Sequence, residues 1–388
     1  MTLPPAYVVG AYEHPIREAG GRTLAELQAD VALGALTDAG LDIKDVDGFF
    51  CGPDAPGTGP LSIADYLNLD LRHVDTTSTS GSSYLIHMAH ARQAIAAGKC
   101  DVALITLAGR PRSEGLAKGI MPRLDTPDQP DYQWEHPYGL AILGMYAMVA
   151  RRHMYEYGTT AEQLAWIKVA ASHHAQHNPH AMLRQLVTVD EVVNSPLVAD
   201  PLHRLDCCIV SDGGGALVLT RPEIAKSLKR PLVKVIGTGE APKHQEGGYA
   251  NDLISGAAKS GRIAYEEAGV TPQDIDYVSV YDSFTITALI QLEDLGFCEK
   301  GQGGRFVADG NLISGVGKLP FNTDGGGLCS NHPGNRGSMT KAIEVVRQLR
   351  GEATPQTQVK DCRLGLANGI GGQLGVRHGS ATVIMERE

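Results

Sequence analysis

The chain has 388 residues, 43% hydrophobic and 20% charged, which is enough to build one large or two medium cores and excludes a disordered chain. A formal net charge of −10 argues against general attraction to nucleic acid or to anionic membrane, whose phosphates need clustered Lys and Arg. With 46 glycines against six Phe and two Trp, the core must be filled by Ala, Val, Leu and Ile, which suits helices packed closely on a sheet and predicts an α/β architecture.

From the start of the chain, Met1 to Gly10 has no basic segment leading into a long apolar run, and no later stretch has the apolar length of a bilayer span; a soluble, cytoplasmic protein is expected. The first strong signal is Ala35 to Asp47, which recurs as Ala264 to Asp276 with Ala, Ala-Gly, Asp and Asp in identical places. Each copy reads as helix, glycine stop, turn and then strand, the strands being Gly48 to Cys51 and Tyr277 to Tyr281. Ala91 to Gly98 then precedes a strand from Asp101, as Ala342 to Gly351 precedes one from Arg363. The halves close on Gly213 to Thr220 and on His378 to Met385.

This duplication predicts two similar layered units, residues 1–225 and 226–388. The first half carries an excess, residues 109–200, with helices expected over 139–157 and 161–176. It reads as a loop domain inserted over one end of the sheet, where substrate or subunit contacts concentrate. The seven cysteines show no paired metal spacing, and Cys207 and Cys208 are adjacent, so no metal and no redox cofactor is expected.

Two duplicated halves with glycine-rich loops at equivalent points resemble the thiolase superfamily over essentially the whole chain. The phrases Tyr281 to Thr285, Leu295 to Cys298, Leu319 to Gly326 and His332-Pro333-Gly334 resemble the branch of sterol-carrier-protein-type thiolases and bacterial "lipid-transfer" thiolase-like proteins. Tyr138-Gly139, Arg151 to Met154 and Asp206 to Gly214 are similar to its bacterial subgroup. The resemblance implies the thiolase fold: two βαβαβαββ-type halves giving a five-layered αβαβα core. It also implies a homodimer through the edge strand of the first half.

A family thiolase carries its nucleophilic cysteine at the N-terminus of the central helix of the first half, where the helix dipole favours a thiolate. The corresponding stretch here, Thr76 to Tyr84, has no cysteine and places the position at about Gly81. Ser82 and Ser83 read as helix-capping hydrogen-bond donors, and as nucleophiles only if a base activates them. The family's Asn-Glu-Ala-Phe element is replaced by Tyr281-Asp282, a phenol beside a carboxylate able to exchange a proton with substrate. The Gly-His-Pro element survives as Asn331-His332-Pro333, which makes His332 the candidate acid or base. The last element, Ala367 to Gly372, offers neither thiol nor imidazole; Asn368 and the main chain at Gly371 are candidate oxyanion donors. Cys329 and Cys362 read as buried apolar thiols, and His136, His153 and His203 as structural.

Vacancy of both thiol positions argues against ordinary acyl transfer. Some members of the resembled subgroup are aldolases that act on steroid side-chain CoA esters with a DUF35 partner, an OB-fold with a zinc-ribbon segment. Retro-aldol cleavage of a β-hydroxyacyl-CoA needs a base for the hydroxyl, here Tyr281, and donors for the enolate, here His332 or the main chain near Gly81 and Gly371. Aldolases of that subgroup place a second tyrosine where this chain has His332-Pro333, which leaves the proton roles open. Two competitors remain: an acyltransferase using Ser82, Ser83 or a partner, and a non-catalytic acyl-CoA binder in a complex. CoA enters in each case as part of the substrate, not as a cofactor.

Overall fold

The computed structural model describes residues 4–52, 55–115, 138, 142–243, 251–334 and 337–388. Nine strands, β1 (Ala6–Glu13), β2 (Gly48–Cys51), β3 (His73–Asp75), β4 (Val102–Gly109), β5 (Gly213–Thr220), β6 (Val233–Lys243), β7 (Tyr277–Val280), β8 (Leu364–Gly371) and β9 (His378–Arg387), pair in the order β3-β2-β4-β5-β1-β6-β9-β8-β7. The order is symmetric about the β1/β6 junction, where Ala6, Tyr7 and Val8 pair across. On either side, two antiparallel pairings (β1–β5–β4 and β6–β9–β8) are followed by a parallel one (β4–β2 and β8–β7). Beyond these lie β3, parallel to β2, and a parallel bridge between Val278 and Phe321.

The longer helices are α1 (Leu24–Ala39), α2 (Pro60–Leu67), α3 (Ser83–Ala96), α4 (Ile142–Tyr157), α5 (Ala161–Ala175), α6 (Ala257–Ala268), α7 (Thr285–Asp294) and α8 (Ser338–Arg350). The repeated sequence acts identically in both copies. Gly40 and Gly269 end α1 and α6 in the left-handed conformation at φ 75° and 70°. Asp47 then accepts the N–H groups of Asp101 and Val102, while Asp276 accepts those of Arg363 and Leu364, so each aspartate pins the start of the neighbouring strand.

Alternate strand residues enter different cores, as a period of two requires. Tyr7, Val9, Phe49, Leu104 and Val218 pack under α1, while Val8, Phe50, Ile105 and Leu217 face a central layer of α3 and α8. The second half sends Ala367, Ala381 and Val383 into that central layer, and Val278, Leu366 and Ile384 outward to α6 and α7. The result is five layers, helix, sheet, helix, sheet, helix. Between β4 and β5 the chain runs through α4 and α5 and a two-stranded hairpin, Leu197–Ala199 with Leu202–His203, before returning at Gly213. The helices expected over 139–157 and 161–176 are thus found as α4 and α5; residues 139–141 and His136 lie outside the described residues.

Candidate active site

The residue leaving β7, Tyr281, is 6% exposed, and its Oη lies 2.9 Å from His332 Nε2 with the rings edge to face, 5.4 Å between centroids. Its backbone N–H donates to Asn368 O of β8 at 3.0 Å, so the strand ends of the second half fix the phenol. Glycine lets the other elements close on it. A Cβ at Gly81 would collide with the Ile370 carbonyl and stand 2.9 Å from Tyr281 Cε2; one at Gly337 would stand 3.0 Å from the same carbon. A Cβ at Gly371 would strike Thr79 O. The turn before α3, the end of β8 and the Tyr281–His332 pair therefore meet at one place, bringing together Gly81, Gly371, Tyr281 and His332 from segments far apart in sequence.

Burial pushes the His332 imidazole down to about 4, against a smaller opposing pull from Asp282, so it is neutral at ordinary pH. His332 leaves a five-residue π-helical turn, Gly326–Ser330, a rare element that recurs at functional sites. Asp282 faces that turn. Its carboxylate accepts the N–H groups of Gly327 at 2.8 Å and Leu328 at 3.2 Å and pairs with Lys341 Nζ of α8 at 2.8 Å. Both partners of that pair are at most 2% exposed. Burial alone would lower the Lys341 ammonium, yet Asp282 and Asp324 hold it above its ordinary value. Asp282 is thus a buried anchor of the turn, bonded to Gly327, Leu328 and Lys341.

Four other expected residues are placed differently. Ser82 stands at the start of α3 without capping it; its hydroxyl donates back to Thr79 O at 2.9 Å, and that of Ser83 to Ser80 O at 2.8 Å. Both hydroxyls knit the turn, which corrects the capping reading, and neither has an activating base among these partners. Asn331 donates its amide to Glu13 Oε1 at 2.8 Å and accepts from the Ser211 hydroxyl. Asn368 donates to Ala381 O and Thr382 Oγ1 on β9. Both asparagines thus donate inside the protein, as does the Thr79 main-chain N–H, which goes to Ser83 Oγ at 2.9 Å.

Sequence reading missed three features. Ser80 holds φ 52°, a left-handed value unusual for serine and a mark of strain at the head of α3. Lys341 gave no signal. Lys168 did: it interrupts the apolar run Ala165 to Ala171 of α5 and is 2% exposed. Cys329 and Cys362 are buried, as expected, and burial raises both thiols. His153 is fully buried on Thr159 and Glu293, and His203 is half-buried beside Asp206. Among the described residues no group of three His, Cys, Asp or Glu is placed to hold a metal ion, and no helix is long and apolar enough to cross a membrane.

Residues 239–387 match the family "Thiolase C-terminal domain-like". An acetyl-CoA acetyltransferase of Methanothermobacter thermautotrophicus is 34% identical over 94% of this chain and 96% of its own length. A steroid side-chain-cleaving aldolase of Thermomonospora curvata is 34% identical over 84% of this chain and 86% of its own. The Ltp2-ChsH2(DUF35) aldolase superposes with a TM-score of 0.86 at 30% identity, over 99% of this chain and 98% of that one. The chain belongs to the thiolase superfamily. Within it, the relatives include both acyltransferases and carbon–carbon lyases.

Proposed function

We propose that this chain is a CoA-ester lyase that cleaves a β-hydroxyacyl-CoA to a ketone or aldehyde and a shorter acyl-CoA by a retro-aldol step. The observation that carries the reading is the buried Tyr281–His332 pair at 2.9 Å, facing a helix head, Thr76 to Tyr84, that holds no thiol. Neutral His332 carries one ring proton, which we assign to Nδ1; Nε2, 2.9 Å from Tyr281 Oη, then accepts the Tyr281 proton. As the substrate's β-hydroxyl proton moves to Tyr281 Oη, the phenolic proton moves to His332 Nε2. The C–O bond becomes a carbonyl and the Cα–Cβ bond breaks. Its electron pair passes to the thioester as an enolate, which main-chain N–H groups at Gly81 and Gly371 stabilise. The proton on His332 returns through Tyr281 to Cα, and the atoms balance without any further cofactor.

The aldolase relatives support a bulky acyl group such as a steroid side chain as substrate, and the neighbour that carries a DUF35 subunit supports a partner of that type. We also infer a homodimer through the outer strand β3, which would cover an open sheet edge. The mirrored strand order supports division at 225/226, with 109–200 inserted over the site end. The test is incubation with β-hydroxyacyl-CoA esters of graded bulk, with and without a DUF35 partner, following carbonyl release. Release is expected, and no cleavage of any ester under either condition would leave a binding subunit as the better reading. The acetyltransferase relative favours a second reading, acyl transfer. Burial raises the thiols of Cys208 and Cys329, the cysteines that interact with Asp282, which counts against it. An acyl-enzyme trapped during turnover and seen by mass spectrometry would replace the lyase reading.

A further inference from the structure

In a π-helical turn each carbonyl accepts from the residue five positions on. Gly326 O does so from Asn331 N at 3.1 Å. The next carbonyls are served from elsewhere: Gly327 O by Ile209 N at 3.0 Å, Cys329 O by Leu183 N at 2.8 Å, and Ser330 O by Met182 N at 3.3 Å. For Leu328 the fifth residue on is Pro333, which has no N–H to give. Its carbonyl is taken instead by Lys168 Nζ of α5 at 2.7 Å, from a side chain 2% exposed.

The same carbonyl has a competing donor. In an α-helical register Leu328 O would accept from the residue four on, His332, whose N–H instead donates to Ser211 Oγ at 2.8 Å. Lys168 occupies the acceptor that would draw His332 back into the turn. From the opposite side Asp282 holds the N–H groups of Gly327 and Leu328. We infer that Lys168, delivered by the segment between β4 and β5, is a positioning residue: its hydrogen bond to Leu328 O keeps the turn in the π register that sets the His332 imidazole against Tyr281. A buried ammonium that donates to a main-chain carbonyl is costly to keep, and a register with two near alternatives is where such a contact decides the outcome.

The experiment substitutes Lys168→Met, close in shape and without a donor, in the full chain labelled with ¹⁵N-histidine. His332 is identified by the resonance lost in His332→Gln. In wild type, burial should hold its ring far below the ordinary 6.5. In the variant the midpoint is expected to move up toward that value as the imidazole leaves Tyr281, and Lys168→Arg, which keeps donors, should restore part of the wild-type titration. With the lyase substrate, kcat should fall about 10²-fold, the cost of a misplacement of about 1 Å, with KM little changed. A folded Lys168→Met protein with wild-type titration overturns the inference. If that variant does not fold, Lys168→Gln, one bond short of the carbonyl, takes its place with the same expectation. Failure of both to fold would make Lys168 a core residue only and overturns it as well. The kinetic arm rests on the proposed lyase activity and the titration arm does not: a shifted titration in a protein that cleaves no ester would sink the lyase reading and leave the positioning role standing.

Discussion

Tyr281 can lose its oxygen without losing its place, because its ring is wedged by the main chain at Gly81 and Gly337 and its backbone is tied to Asn368 O. Tyr281→Phe should therefore cost about 1 kcal/mol of stability, one buried hydrogen bond. Removing a general base should lower kcat about 10²–10⁴-fold. Steady-state rates and a urea midpoint measure the two separately, and a phenylalanine variant with unchanged turnover would remove the phenol from the mechanism. Gly81 is the complementary case. A methyl group there meets a carbonyl oxygen and a held ring, neither at the end of a flexible side chain. Gly81→Ala is expected to destabilise by about 1–3 kcal/mol through overpacking and to lower turnover by pushing the phenol away from His332. Wild-type activity in this variant would show that the turn before α3 does not set the tyrosine's position.

At the scale of elements, the π-turn is held by buried groups on both sides, and Asp282 with Lys341 is its inner anchor. Asp282→Asn takes from the Lys341 ammonium its 2.8 Å partner in a position at most 2% exposed, with Asp324 pulling from farther off, and breaking one side of such a pair costs about 3–5 kcal/mol. Adding Lys341→Met should recover much of that loss, since a matched apolar replacement is often nearly neutral. Urea unfolding of the two single variants and the double closes the cycle, and additive losses would mean that the pair is not coupled. The regular elements were legible beforehand because their signals are local: the Ala-Gly stops of α1 and α6, the aspartates opening each β7-like strand, and the apolar runs of β5 and β9. The turn that carries His332 was not. Gly-Gly-Leu-Cys-Ser has no helical period, and its carbonyl partners lie at Lys168, Met182, Leu183 and Ile209, more than a hundred residues away in sequence. Adjacency also misled: Tyr281 and Asp282 read as a pair, but neighbours in extended chain point to opposite sides, one to His332 and the other to Lys341.

Over the whole molecule, doubling of one layered unit creates a central helix layer and strand ends buried deeply enough to hold neutral imidazoles from both sides of the site. Burial lowers His174 on α5 to about 4, His332 to about 4 and His378 at the start of β9 to about 3, from an ordinary 6.5. Between those values and 6.5 the unfolded chain binds three protons that the folded one refuses. Stability is therefore complete above about pH 6.5 and is lost as pH falls below it, each histidine contributing about 1.4 kcal/mol per pH unit. His90 works in the opposite sense. Asp75 and Glu240 raise it to about 9, so its half-exposed ion pairs contribute below pH 6.5 and fade as pH rises through 9. Glu344, which burial and Asp324 raise to about 7, offsets one of these protons because its folded carboxyl takes up a proton first; the acid side should still dominate, since three imidazoles oppose one carboxyl and all are buried and poorly screened by salt. Urea midpoints measured from pH 7.5 to 5 should fall steeply below 6.5 at both low and high salt. His378→Asn should reduce the slope by about one proton. A midpoint that stays level across that range would mean that the three imidazoles reach water in the folded protein, and with them that His332 is not the neutral acceptor on which the proton path from Tyr281 depends.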